Sequence, residues 1–219
     1  MEQDTKTALV IGASRGLGYA SAVALANKGY HIIALARTVG GLEELADVVE
    51  PSGAGITLVP LDITDEGGLQ RLCLSIFERW GKLDLLLHCA VHAPLLTPMQ
   101  HLGEKDFDKT MAVNARSVAR TIALTEPLLR VGDGTAIFMD DPHMGEKFYA
   151  AYAASKAAAR SMVKSWQAET VNLKPRVILH QPNPMPTATR GRFHPGEDKS
   201  VLASPADEAE RMIKAYLQD

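Results

Sequence analysis

Six short apolar runs, stretches of helical periodicity between them, and a glycine-rich turn directly after the first run predict an α/β protein. The expected architecture is one doubly wound domain over 1–219, with a parallel sheet of about six strands and helices on both faces. The strands are apolar throughout instead of alternating, as in a sheet buried on both sides. Crossovers between parallel strands are right-handed almost without exception. In such a sheet ligands bind beyond the strand carboxyl ends, where strand order reverses. The residues just after each strand are therefore the ones to read for function.

Each element has its own signal. TALVIG (7–12) is short, apolar and stopped by Gly12. SRGLGYASAVALANKG (14–29) has apolar residues at helical spacing, with Ser14 as the expected cap and Gly29 as the stop. HIIALA (31–36) is the second strand, and LEELADVVE (42–50) a helix ended by Pro51. ITLVP (56–60) is the third strand, followed by a helix over 69–80 that stops at Gly81. LDLLLHCA (83–90) is the fourth strand, and a long helix is expected over 104–130, interrupted late by Pro127. TAIFM (135–139) and RVILH (176–180) are the last two strands, with helices over 149–173 and 205–218. No internal repeat or linker is visible. The Pro/Gly-rich stretch 182–204 is the one long loop, hence the expected substrate loop.

Composition narrows the function classes. With 46% hydrophobic and 22% charged residues the chain reads as an ordinary globular protein. A net charge of −3 recruits neither nucleic acid nor an anionic membrane surface. Cys73 and Cys89 form no framework and match no zinc spacing, and the seven histidines show no metal-ligand pair, so no metal is expected. No stretch approaches the ~18 apolar residues of a membrane span. The start MEQDTK is polar and the apolar run behind it short, so no signal peptide is expected and the default is a reducing cytoplasm.

The turn Gly12-Ala-Ser14-Arg15-Gly16-Leu17-Gly18 follows a strand and opens a helix. Glycines there let the backbone approach a pyrophosphate, and the helix N-terminus offers free N–H groups and positive dipole. The end of the second strand, Ala36-Arg37, lacks the acid that binds a ribose 2′-hydroxyl. Arg37 and Arg15 are suited instead to clamp a 2′-phosphate by charge-assisted bonds, although both also fit a solvated surface. That pattern predicts NADP(H). Later in the chain Tyr152 and Lys156 lie four apart and share one helical face. A phenol titrates near ~10 and a neighbouring ammonium lowers that value, which makes the pair proton-transfer machinery. Tyr149 has Ala153 four residues on and does not fit the pattern.

The glycine spacing together with Tyr152-x-x-x-Lys156 resembles the short-chain dehydrogenase/reductase family. The resemblance runs to about residue 187 and implies a Rossmann fold and nicotinamide chemistry. By it, Asp62 with Ile63 matches the adenine-contacting segment, and Ala90 the stretch after the fourth strand. Asn114 matches the helix asparagine that holds a catalytic water through its backbone, and Pro127 a proline usual in that helix. Pro182 and Thr187 match the segment gripping the nicotinamide end. Tyr152 takes the role of acid in reduction and base in oxidation, and Lys156 also binds the nicotinamide ribose. The two long helices imply a homodimer.

The chain departs from the family pattern at several positions. Asn-Asn-Ala-Gly is His88-Cys89-Ala90-Val91 here, and the glycine after Pro182 is Asn183. The substrate-orienting serine is absent. Aligned from the strand its place falls on Asp141; counted back from Tyr152 it falls on Met139, with Asp140 between. An ionised carboxylate there opposes formation of a Tyr152 phenolate. A protonated one, sheltered by Met139, Met144 and Met185, donates a hydrogen bond to a carbonyl. Turned to solvent, the aspartates merely cap the next turn. Family members usually add a seventh strand, which 205–219 does not provide. The leading expectation is an NADP(H)-dependent oxidoreductase acting on a small carbonyl/alcohol pair. The alternative is a non-catalytic NADP(H)-binding sensor on the same fold, and the third a relative that binds neither.

Overall fold

The computed structural model describes residues 5–217. Six strands form one parallel sheet: β1 (Thr7–Ile11), β2 (His31–Ala36), β3 (Ile56–Pro60), β4 (Leu85–His88), β5 (Thr135–Met139) and β6 (Arg176–His180). Their order is β3-β2-β1-β4-β5-β6, so the chain winds one way from β1 and then the other. The reversal falls between β1 and β4, where Ile11 pairs with His88 and the Cys89 N–H donates to the Ile11 carbonyl at 2.8 Å. The turns after these strands therefore diverge and leave a crevice above the sheet.

The period of two in each strand sorts the core into two layers. Leu9, Ile11, Ile33 and Leu35 face one side and pack with α3 (Glu66–Trp80), α5 (Ser117–Val131) and α6 (Ala150–Glu169). Ala8, Val10, Ile32 and Ala34 face the other and pack with α1 (Gly16–Ala26), α2 (Val39–Val49) and α8 (Pro205–Tyr216). Each fully buried Leu or Ile stabilises the fold by ~1.5–3 kcal/mol, so these two layers dominate its stability. The shorter α4 (Glu104–Met111) and α7 (Ala188–Phe193) lie outside them.

The structure moves several predicted boundaries. Ser14 does not cap α1; the N-cap is Arg15, without a side-chain hydrogen bond, so the first N–H groups stay open. The second helix starts earlier, at Val39, and Pro51 lies in a 3₁₀ turn after it. Helix α3 also starts earlier, at Glu66, because Asp65 accepts from the Gly68 N–H. The fourth strand is shorter than expected. The helix over 104–130 is interrupted at a π segment, Ala112–Arg116, and not at Pro127, which lies inside α5. Helix α6 ends at Glu169 because the Thr170 hydroxyl donates to the Trp166 carbonyl at 2.9 Å. The stretch 182–204 is no bare loop: it carries α7 and a 3₁₀ turn, Lys199–Val201, with Arg190 paired to Glu197. Helix α8 is capped by Ser204 and runs to Tyr216; Gln218, like Met1–Asp4 of the polar start, lies outside the described residues. Among the described residues no helix is long and apolar enough to cross a membrane, and no cluster suited to a metal is found.

Candidate active site

A cavity of about 730 Å³ opens at the carboxyl ends of β1 and β4. All the sequence-predicted site residues line it: Gly12, Ser14, Arg15, Gly16, Leu17 and Gly18 from the glycine turn; Arg37, Asp62 and Ile63 beside it; Ala90, Asn114 and Asp141 across it; and Tyr152, Lys156, Pro182 and Thr187 at its far end. Gly12 has φ 89°, and a Cβ on it would meet the Ala90 nitrogen at 2.8 Å. A Cβ on Gly18 would run into the Gly12 carbonyl oxygen. Both glycines are thus required by close backbone approach. They bring the uncapped N-terminus of α1, with no acid in its first turn, to the cavity wall. That is a fitting cradle for a pyrophosphate.

Arg15 and Arg37 are exposed at the cavity edge, and the end of β2, Ala36-Arg37, carries no acid. Arg37 Nη1 lies 3.7 Å from Asp62 Oδ2. Asp62 Oδ1 accepts from the Thr64 N–H and hydroxyl at 2.9 and 2.8 Å. Partial burial pushes that carboxyl up, but the Thr64 bonds and Arg37 outweigh it and hold Asp62 below its ordinary range. At the other end Thr187 caps α7, accepting from the Arg190 N–H.

The catalytic candidates meet on α6. The Tyr152 hydroxyl donates to Asp141 Oδ2 at 2.7 Å. Lys156 Nζ donates to the Met139 carbonyl at 2.5 Å. Asn114, in the π segment, accepts from the His92 N–H at 2.7 Å and donates to the His92 carbonyl and to Ser155 Oγ. Asp140, the other candidate for the serine's place, points elsewhere. Arg160 grips it with Nε and Nη2 at 3.1 Å each to Oδ1 and with Nη2 at 2.9 Å to Oδ2.

A family model described as short chain dehydrogenase matches residues 6–198. The chain belongs to the short-chain dehydrogenase family. A similar curated protein, glycine betaine reductase ATRR of Emericella nidulans, is 30% identical over 97% of this chain; the match spans only 18% of that protein. Sepiapterin reductase of Chlorobaculum tepidum is 26% identical over 96% of this chain and 89% of its own length. Among solved structures, the alcohol dehydrogenase of Thermococcus sibiricus complexed with 5-hydroxy-NADP superposes with a TM-score of 0.87, at 26% identity, over 99% of this chain and 92% of that one. Members of this family are nicotinamide-dependent oxidoreductases with a Rossmann-like sheet, and the six parallel strands here match it.

Burial and nearby carboxylates set the electrostatics around Tyr152. Burial, and after it the Asp141 carboxylate, pushes the phenol far above its ordinary value. Burial pulls the Lys156 ammonium down, against Asp141 and Asp140. Of the three alternatives for the aspartates, the methionine shelter for a neutral acid finds no support: Met144 is exposed, Met139 and Met185 pack with Leu17 and Ala209, and the Asp141 side chain is 41% exposed. Burial takes the Cys89 thiol up to about 12, which removes it as a nucleophile.

Several residues of the site carried no sequence signal strong enough to name them. His143 Nε2 lies 3.1 Å from Asp141 Oδ1, and its Nδ1 is 2.9 Å from Glu146 Oε2. Its ring stacks on Tyr149 at 4.3 Å, while Phe193 of α7 lies 4.8 Å from the Tyr152 ring. Arg160 had a signal: it continues the Tyr152, Lys156 face by one more helical turn. Asn183, in place of the usual glycine, donates to the buried Glu208, which also binds His180 and Arg211. That network anchors the end of β6 and the following segment to α8.

Proposed function

We propose that this chain, as a single NADP-binding domain, is an NADP(H)-dependent oxidoreductase that moves hydride between the nicotinamide and a small carbonyl/alcohol substrate. The observation that carries it is the Tyr152–Asp141 hydrogen bond, set on the wall of a cavity that also holds Lys156, Asn114 and the uncapped end of α1. The glycine turn holds the pyrophosphate, Arg15 and Arg37 the 2′-phosphate, Asp62 and Ile63 the adenine end, and Ala90, Pro182 and Thr187 the nicotinamide end. The 5-hydroxy-NADP bound to the similar Thermococcus enzyme supports that cofactor. When bound, it supplies the hydride.

The remaining chemistry belongs to the protein. Tyr152 delivers a proton to the oxygen of the carbonyl as it becomes an alkoxide. Asp141, in the serine's place, accepts from Tyr152 and keeps it a phenol, which favours reduction over oxidation. Lys156 binds the nicotinamide ribose and holds the end of β5 through Met139. Asn114 fixes the turn at His92 and keeps the π segment against α6 through Ser155. The segment 182–204 lies over Tyr152 through Phe193 and acts as the substrate lid. The working unit is a homodimer built on α4–α5 and α6.

One observation favours the sensor reading: Tyr152 is only 2% exposed and its hydroxyl is already bonded to Asp141. The two readings separate in one assay. NADPH consumption is followed with a panel of aldehydes, ketones and quinones. Turnover above buffer establishes the enzyme; tight NADPH binding with no turnover on any of them leaves the sensor.

A further inference from the structure

Between β6 and α7 the chain reads Gln181-Pro182-Asn183-Pro184-Met185-Pro186-Thr187, and every one of these residues lines the cavity. The segment has little backbone to hold it in place. Its three prolines carry no N–H. The Thr187 N–H turns inward and donates to the Met185 carbonyl at 2.7 Å. Among the described residues, one side-chain hydrogen bond joins 181–186 to another element: Asn183 Nδ2 donates to Glu208 Oε2 of α8 at 3.0 Å.

Glu208 is a fixed point for that bond. It is buried, and its four acceptor sites are filled. Oε1 accepts from His180 Nε2 at 2.9 Å and Arg211 Nη2 at 2.5 Å; Oε2 accepts from Arg211 Nε at 2.8 Å and from Asn183. Burial pushes this carboxyl up, but the Arg211 and His180 bonds outweigh it and hold it below its ordinary range. A carboxylate only accepts, so the Asn183 amide turns its NH₂ toward α8 and His180 carries its proton on Nε2. Helix α8 is itself held on α1: Met212 and Ile213 share a buried layer with Ala22 and Leu25. Ala209, next to Glu208, packs with Met185 and with Leu17 of the glycine turn. Helix α8 thus joins the segment 181–187 to the opposite wall of the cavity.

Resting on the NADP(H) reading above, we infer that Asn183 and Glu208 are positioning residues that set 181–187 in place before the cofactor arrives, so that its nicotinamide half meets a preformed wall. A glycine at 183 has no side chain to make this tie. Without the tie, part of the interaction energy goes into ordering the segment, and affinity falls. The effect is confined to one half of the cofactor. Arg37, Asp62 and Ile63, which face the adenine half, follow β2 and β3 and do not depend on the Asn183 bond. Asn183 is exposed on the cavity wall, so truncating it spares the core.

The test compares two probes by calorimetric titration: NADPH, and adenosine 2′,5′-bisphosphate, which has the adenine end and no nicotinamide. Asn183→Ala should weaken NADPH roughly tenfold, the size of one hydrogen bond to a charged group, and leave the bisphosphate within about twofold of the parent. Glu208→Gln should act the same way, and the double variant should be no weaker than the weaker single one, because both remove one tie. Tyr216→Phe is the control: it removes the 3.2 Å contact to His180 Nδ1, loosening β6 against α8 without touching Asn183. It should leave the ratio of the two affinities unchanged. If Asn183→Ala binds NADPH as the parent does, or weakens both probes equally, the positioning role is wrong and the NADP(H) reading stands. The role also fails if Tyr216→Phe moves the ratio as far as Asn183→Ala. A parent that binds neither probe removes the NADP(H) reading, and the positioning role with it.

Discussion

The Tyr152 hydroxyl donates a 2.7 Å hydrogen bond to Asp141, whereas Lys156, one helical turn away, gives its ammonium to the Met139 carbonyl. A phenol between burial and an anion stays protonated. In this chain Tyr152 is thus held as a neutral phenol.

Removing the anion should change that. In Asp141→Ser the phenol loses a neighbouring negative charge, and its pKa should fall by up to about one unit. The Coulomb limit for unit charges ~4 Å apart at a dielectric of ~20 is about 4 kcal/mol. The 41% exposure of Asp141 reduces this several-fold by solvent screening. Ultraviolet difference titration against a Tyr152→Phe background measures it.

On the proposed NADP(H) reading, cofactor choice rests on Arg15 and Arg37. NADPH should bind roughly 10- to 100-fold more tightly than NADH, the size expected of charge-assisted bonds to one phosphate. Fluorescence titration checks it, with Arg37→Asp expected to erase or reverse the preference. Equal affinity in the parent would remove the NADP assignment.

How far these features were legible in the sequence follows from their physics. The sheet was readable because strands buried on both faces leave unbroken apolar runs such as Leu85–His88. The glycine turn and the Tyr152/Lys156 pair were readable because their spacing is itself the mechanism. The choice between Asp140 and Asp141 was not, since a loop's direction is set by partners distant in sequence. Arg160, twenty residues on, takes Asp140 and leaves its neighbour for Tyr152. Ser14 misled because the helix starts one residue later than its hydroxyl could cap: Arg15 is the N-cap and makes no side-chain hydrogen bond. His143 sits in a loop without periodicity, where sequence gives no facing.

Stability should fall in mild acid because of His88. Burial, with Lys156 adding to it, takes this imidazole down to about 4 from its ordinary 6.5. The unfolded chain binds the proton first, so the contribution is fully present above about 6.5 and is lost as pH falls toward about 4. At about 1.4 kcal/mol per unit the loss is about 3 kcal/mol at most. Denaturant unfolding across that range should be visibly less steep in pH for His88→Asn.

Glu208 ties β6 to α8. It is 1% exposed and bonded to His180, Asn183 and Arg211. Glu208→Ala should cost roughly 2–4 kcal/mol, because it leaves buried donors without an acceptor. Thermal unfolding measures it, and a change within about 0.5 kcal/mol would show that the network is replaceable by water.

The most direct test of the central claim compares both reaction directions in the parent and in Asp141→Ser, from about pH 5 to 8. The account predicts that the parent reduces carbonyls with NADPH throughout and oxidises the matching alcohols with NADP poorly. Asp141→Ser should raise the ratio of oxidation to reduction at least about tenfold, as the phenolate becomes reachable. A parent that oxidises as readily as its relatives' mechanism allows, or a ratio that Asp141→Ser leaves unchanged, would contradict it.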